Sequence, residues 1–192
     1  KNQECYYKKG GVIAGFTAAS RLENLIMIPI IALSSSIVTM IGMFYGAGRH
    51  DLIRSTINYA MKWGVQISLI FGLIFFVFSP FLLSIFTNDQ KVILEGVNFF
   101  NIVSFSLPFI AISMITCRAM QGMDKPNPFL FLTLFRVILF AIPMAWIGVE
   151  YFNKHTDWVW WAVLLSSIIS ALVGLFWMYK IMKEDRKRYI SE

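Results

Sequence analysis

The run from Gly11 to Gly46 constrains this chain most, because only Arg21 and Glu23 interrupt 36 residues that are otherwise uncharged. Within it, Leu25 to Tyr45 is a stretch of 21 residues without a charge. At about 1.5 Å per helical residue, that is enough to cross a hydrocarbon core of roughly 30 Å. The whole run, helical throughout, would measure roughly 54 Å and must therefore lean, bend or protrude. Pro29 removes one backbone donor and crowds the preceding turn, so a bend is expected there. Gly42, Gly46 and Gly48 allow the chain to leave the helix and turn.

Four further uncharged or nearly uncharged runs follow, giving five expected transmembrane helices at about 11–46, 63–87, 96–117, 128–149 and 158–180. With 57% hydrophobic residues, 15% charged and a mean hydropathy of +0.65, the chain cannot hide its apolar side chains in a soluble core. The fold class is an all-α integral membrane protein without a separate soluble domain, so residues 1–192 are one unit. The polar opening KNQECYYKK reads as a loop, Asp51 is placed to cap the second helix, and Pro80 and Pro108 interrupt the second and third. Trp158, Trp160 and Trp161 read as an aromatic belt at headgroup level. The chain opens at Lys1 with no basic, apolar and small-residue leader, and a truncated start is expected.

The net charge of +6 does not point to nucleic acid, because the basic residues fall in short loops and the tail. Ten Lys and Arg residues lie on one side of the expected spans: Arg49, Arg54, Lys62, Arg118, Lys125, Lys180, Lys183, Arg186, Lys187 and Arg188. The other side holds five, Lys1, Lys8, Lys9, Lys91 and Lys154. The richer side, which includes the C-terminus, is expected in the cytoplasm of a plasma (inner) membrane. Cys5 and Cys117 are too far apart and too isolated for a metal-ligand pattern, so neither zinc nor a disulfide framework is expected. His50 and His155 fall in expected loops. No nucleophile–base–acid set and no Gly-rich phosphate loop is present, which argues against an enzyme.

Charge at membrane depth costs roughly 2.5–3.5 kcal/mol on insertion scales, which makes Arg21, Glu23 and Arg136 candidates for function. Arg21 and Glu23 are two apart on a helix and point to nearly opposite sides. Glu23 shares a helical stripe with Met27, Ile30 and Ser34, an arrangement suited to a cation or proton site. The competing reading leaves both residues hydrated at the outer interface. Arg136 lies seven residues into its span, within reach of headgroups by snorkelling. Asn98 and Asn101, one turn apart, would line a polar path or hydrogen-bond between helices. The Phe and Met residues would form an adaptable pocket for bulky cations, or simply face lipid. Gly11 and Gly15 allow a close helix contact.

The run AASRLENLIMIP from Ala18 to Pro29, followed by GMFYGAGR from Gly42 to Arg49, resembles the second helix of each six-helix bundle in multidrug and toxic compound extrusion transporters, the MATE family. RAMQGMDKP, Arg118 to Pro126, resembles that family's small-x-Gln-Gly-x-Gly segment, and LFRVILFAIPMA, Leu134 to Ala145, resembles its eleventh span. The resemblance implies that the five helices are the eighth to twelfth of twelve, forming most of a six-helix C-terminal lobe. It implies an antiporter that exports drug-like or cationic solutes in exchange for protons or sodium ions, with no other cofactor. Motif residues carried over are Arg21, Glu23, Pro29, Gly46, Gly48, Gln121, Gly122, Arg136 and Pro143, with Glu23 facing the cleft. Expected partners are the lipid bilayer, a small cationic or drug-like molecule, and the missing N-terminal lobe or a second half.

The departures from the family's pattern are specific. Gly42, Met43 and Phe44 stand where the family often has Gly-Gln-Asn, and no acidic residue lies between Gly96 and Cys117 to build a sodium site in the form some members use. The first lobe, which in many relatives carries an essential coupling carboxylate, is missing, so this chain alone is not expected to pump. Two other readings stay open: a lipid-linked saccharide flippase of the same superfamily, and a non-transporting membrane scaffold or remnant.

Overall fold

The computed structural model describes residues 2–85, 89–125, 127–134, 138, 143 and 157–191. Among them are five helices: α1 (Asn2–Gly46), α2 (His50–Ser84), α3 (Gln90–Gly122), α4 (Asn127–Leu134) and α5 (Asp157–Ser191). Four contain segments long and apolar enough to cross a membrane: Ala19–Gly46, His50–Ser84, Val92–Gly122 and Trp160–Glu184. Helices suit this environment because they satisfy every backbone polar group within the segment, where lipid offers no partner. The fourth expected span, 128–149, falls largely outside the described residues.

The helices run further than the spans. The opening stretch expected as a loop is helical from Asn2, since Gln, Glu and Lys are good helix formers and polarity alone does not end a helix. Hydropathy marks the depth of the bilayer, whereas a helix ends at a cap. Thus α2 starts at His50, thirteen residues before Trp63, and α5 continues through the basic tail to Ser191. Pro29, Pro80 and Pro108 all lie inside continuous helices. Asp51 does not cap α2 through its side chain: the N-cap position is Arg49, and the Asp51 carboxylate accepts from that guanidinium at 3.4 Å.

The third helix is the centre of the bundle and touches each of the other four. More than half of its span is buried, 56%, against 29% for the α1 span and 28% for that of α2. The outer helices present large apolar side chains such as Leu73, Phe81 and Phe176 to the surroundings, as a lipid-facing surface requires. Toward α3 they present small ones. Ala60, Gly64, Ser68 and Gly72 form a buried stripe on α2 at intervals of four, and Ala162, Ser166, Ser170 and Gly174 do the same on α5. Such stripes let backbones approach closely. A Cβ on Gly72 would lie 3.1 Å from the Ser104 carbonyl oxygen. On the α5 side, Ser113 and Ser170 share a buried hydrogen bond of 2.9 Å between helices. Gly11 and Gly15, the small pair expected for packing, are helical, but their surroundings fall outside what the structure describes.

The C-terminal ends of α1 and α3 are built alike. At α1, Gly48 takes φ 69° while its N–H donates to the Tyr45 carbonyl and the Arg49 N–H donates to that of Phe44. At α3, Asp124 takes φ 57°, its N–H donates to the Gln121 carbonyl, and the Lys125 N–H donates to that of Met120. Both are Schellman caps, with the left-handed residue glycine in one and aspartate in the other. Replacing Gly48 by Ala should therefore cost about 1 kcal/mol, and Asp124→Gly should stabilise by about 0.5–1 kcal/mol. Thermal unfolding of the two variants in detergent, followed by helical circular dichroism, should move the melting midpoint in opposite directions.

Candidate functional site

The inward face of α1 is set by Ala19, Leu22, Ile30, Ser34, Ile37 and Ile41, all buried. Steps of three, four and eight residues, about one or two turns, put these positions on one side of the helix. Glu23 falls on that side, four residues after Ala19 and seven before Ile30, and is half-buried. Arg21 falls on the opposite side and is exposed. The two charges are thereby separated around the helix, with the carboxylate directed toward the bundle.

Ser34 is fully buried, and its hydroxyl donates back to the Ile31 carbonyl at 2.9 Å. Its polar group is thus satisfied within α1. Pro29 is exposed on the outer side of the same helix.

The residues around Glu23 share a cluster with those around the two asparagines. Ala19 and Leu22 of α1 pack with Phe99, Phe100 and Val103 of α3, Phe75 and Leu83 of α2, and Trp160 of α5. Asn98 and Asn101, each half-buried, flank Phe99 and Phe100. Glu23 and both asparagines therefore lie at the same end of the bundle, around an aromatic knot. In that knot Phe99 meets Trp160 edge-on at 4.8 Å between ring centroids, and Phe75 lies 4.8 Å from Phe100. Trp160, expected in a headgroup belt, is thus an inward-facing residue, whereas Trp161 is half-exposed. The contact with Phe99 outweighs the interfacial preference of the indole.

The remaining motif residues gather at the other end. Gly122 is buried against α1, where a Cβ would lie 2.9 Å from the Val38 carbonyl oxygen and 2.9 Å from the Ile41 Cβ. A Cβ on Gly42 would in turn lie 3.7 Å from the Gly122 carbonyl oxygen. Gln121 accepts a hydrogen bond from the Arg118 guanidinium at 3.2 Å. Gly46 has no neighbour within 4 Å of its Cβ position. Pro143 is helical and half-buried, and Arg136 lies outside the described residues. The two small stripes on α2 and α5 escaped sequence reading, although their four-residue spacing was present to be found. Among the described residues, no three His, Cys, Asp or Glu side chains come together as a metal site.

Comparison with known proteins gives a consistent result. The family model described as MatE matches residues 10–147. The chain is 28% identical over 171 residues to a protein named "FAD transporter" in Shewanella oneidensis, covering 87% of this chain and 36% of that protein. It is 23% identical over 173 residues to a "Probable multidrug resistance protein NorM" of Thermotoga maritima, covering 90% of this chain and 37% of that one. The chain thus spans little more than a third of the length of the curated relatives it matches. Among solved structures, it superposes on an outward-facing multidrug resistance MATE family transporter of the MOP superfamily with a TM-score of 0.87. That match has 23% identity, covers 91% of this chain and 39% of the other, and speaks to the fold.

Gly122→Ala should force α1 and α3 apart at a contact with no slack, at a cost of about 1–3 kcal/mol. Gly46→Ala should be close to neutral. Melting midpoints of the two variants in the same detergent check the contrast; equal midpoints would refute the contact.

Proposed function

Since the chain belongs to the MatE family, we propose that it forms the C-terminal portion of a multidrug efflux antiporter exporting drug-like or cationic solutes in exchange for protons or sodium ions. Members of this family are transporters, not enzymes, and the apolar helices fit a multi-pass membrane protein. On this reading the missing N-terminal lobe, or a second half, completes a central cleft, and the two lobes rock about it. The basic ends of α1, α3 and α5 then lie in the cytoplasm, with the protein in the plasma membrane. The matched relatives do not favour a lipid-linked saccharide flippase.

The observation that carries the proposal is the half-buried Glu23 on the inward stripe of α1, beside an aromatic cluster. A carboxylate on the inward side attracts a cation, and aromatic faces beside it add to that attraction. Such a group drives transport only if its affinity differs between outward-open and inward-open states. Arg21, on the opposite side, has no such role here. Asn98 and Asn101 supply polar atoms at the same end, and Ser34 is held by its own helix.

The test is export of a cationic dye from proteoliposomes containing the intact transporter, with either a proton or a sodium gradient imposed. Glu23→Gln should lower dye export by roughly ten-fold or more, the effect of about 1.4 kcal/mol on a rate, at unchanged protein level. Arg21→Gln should change it much less. Undiminished export by Glu23→Gln would sink the assignment, and the gradient that drives the wild-type protein identifies the coupling ion.

A further inference from the structure

A cavity of about 510 Å³ opens between the first turns of α2 and the last turns of α3 and α5, at the opposite end of the bundle from Glu23. That volume is in the range of small-molecule sites. Three methionines, Met178 and Met182 of α5 and Met123 in the turn after α3, line it, with Asn58 of α2 adding a polar edge. Arg54 and Lys183 also line it from α2 and α5. Both are exposed, and among the described residues neither makes a hydrogen bond or an ion pair. The carboxylate in the wall, Asp51, is already paired with Arg49 at 3.4 Å and does not neutralise them.

The outer surface beside the cavity is aromatic. Tyr59 and Trp63 of α2 are exposed, with their rings 6.1 Å apart, and Tyr179 of α5 both lines the cavity and is exposed. Tyr and Trp concentrate where hydrocarbon gives way to headgroups. The cavity therefore lies at headgroup depth, with cations at its mouth and soft, adaptable apolar side chains within.

We infer that this cavity binds the headgroup of an anionic phospholipid, with Arg54 and Lys183 on the phosphate and the methionines against the glycerol and first methylenes. A cationic solute is repelled by the same pair, so the site is not a second place for the substrate class proposed above. Inorganic phosphate would satisfy the two cations but leave the methionine wall without a partner. The aromatic flank points the same way, since it places the mouth beside lipid rather than bulk water. The inference needs only that the chain spans a membrane and does not rest on the antiport reading.

The test is native mass spectrometry of the protein in a neutral detergent, titrated with dioleoylphosphatidylglycerol, with dioleoylphosphatidylcholine as reference. A saturable phosphatidylglycerol adduct is expected. Arg54→Gln with Lys183→Gln should weaken it roughly thirty-fold, about five-fold for each cation removed. Both residues are exposed, so the melting midpoint of this variant should stay put. Met182→Trp, which fills the cavity and keeps both cations, should abolish the adduct and provides a second, independent variant. Equal binding of phosphatidylcholine, or an adduct unchanged in both variants, would overturn the inference. Displacement of phosphatidylglycerol by millimolar inorganic phosphate would also overturn it and assign the site to the free anion.

Discussion

Everything else in the bundle depends on how closely the outer helices can approach α3. In hydrocarbon there is no hydrophobic drive to press one helix on another, because lipid tails are as apolar as leucine. Association must come from dispersion between well-fitted surfaces, which falls off within a fraction of an ångström. The chain meets this with small residues placed where each helix crosses α3: alternate Ala, Gly and Ser on α2 and α5, and Gly122 on α3 itself against Val38 and Ile41 of α1. The Ser113–Ser170 hydrogen bond falls within one of these seams. Double-mutant cycles put such bonds at only about 0.6 kcal/mol on average, so it fixes register more than it supplies strength.

Close packing at the seams leaves the two ends of the bundle free to differ. Toward the end that holds Glu23, the rings of Phe75, Phe99, Phe100 and Trp160 join the buried packing. Glu23, Asn98 and Asn101 are each half-buried at that end. At the far end, α1 and α3 close on paired caps and the aromatic filling is replaced by isoleucine and methionine. For the proposed transporter this division matters: close-packed seams would let the lobe move as one body, and Glu23, the proposed ion-binding group, lies away from them.

Spans were legible in the sequence because a charge-free run of about twenty residues matches the thickness of a bilayer and exceeds what a soluble core can bury on all sides of a helix. Helix ends were not, since Asn2–Lys9 and the basic tail are polar yet helical, and hydropathy carries no information about where hydrogen bonding stops. Gly48 was readable as a turn; Asp124 was not, because aspartate in the left-handed region is chosen by the two backbone hydrogen bonds it permits rather than by its own preference. The Gln121–Gly122 pair was visible only as a family pattern. Its physical reason, a carbonyl and a Cβ each 2.9 Å from where a side chain would begin, exists only once α1 and α3 are side by side. Trp160 misled for a related reason: an indole at a span's edge suits lipid headgroups until a phenyl ring is offered from a neighbouring helix. For Glu23, helical spacing put it in line with Ile30 and Ser34, which are buried, whereas its facing a cleft was implied only by the family resemblance.

The basic residues at the capped end have more than one electrostatic duty. The C-termini of α1 and α3 finish side by side, and each gathers partial negative charge from its unpaired carbonyls. The residue that completes each cap is basic, Arg49 after Gly48 and Lys125 after Asp124. Cations there offset two parallel dipoles that would otherwise repel. The same residues count toward the positive side of the membrane, so helix termination and orientation are served by one set of charges. Arg54 and Lys183 count toward orientation as well but complete no cap, and Asp51 is held by Arg49. What sets these two apart is their place at the mouth of one methionine-lined cavity, which is the feature the inferred phospholipid headgroup matches.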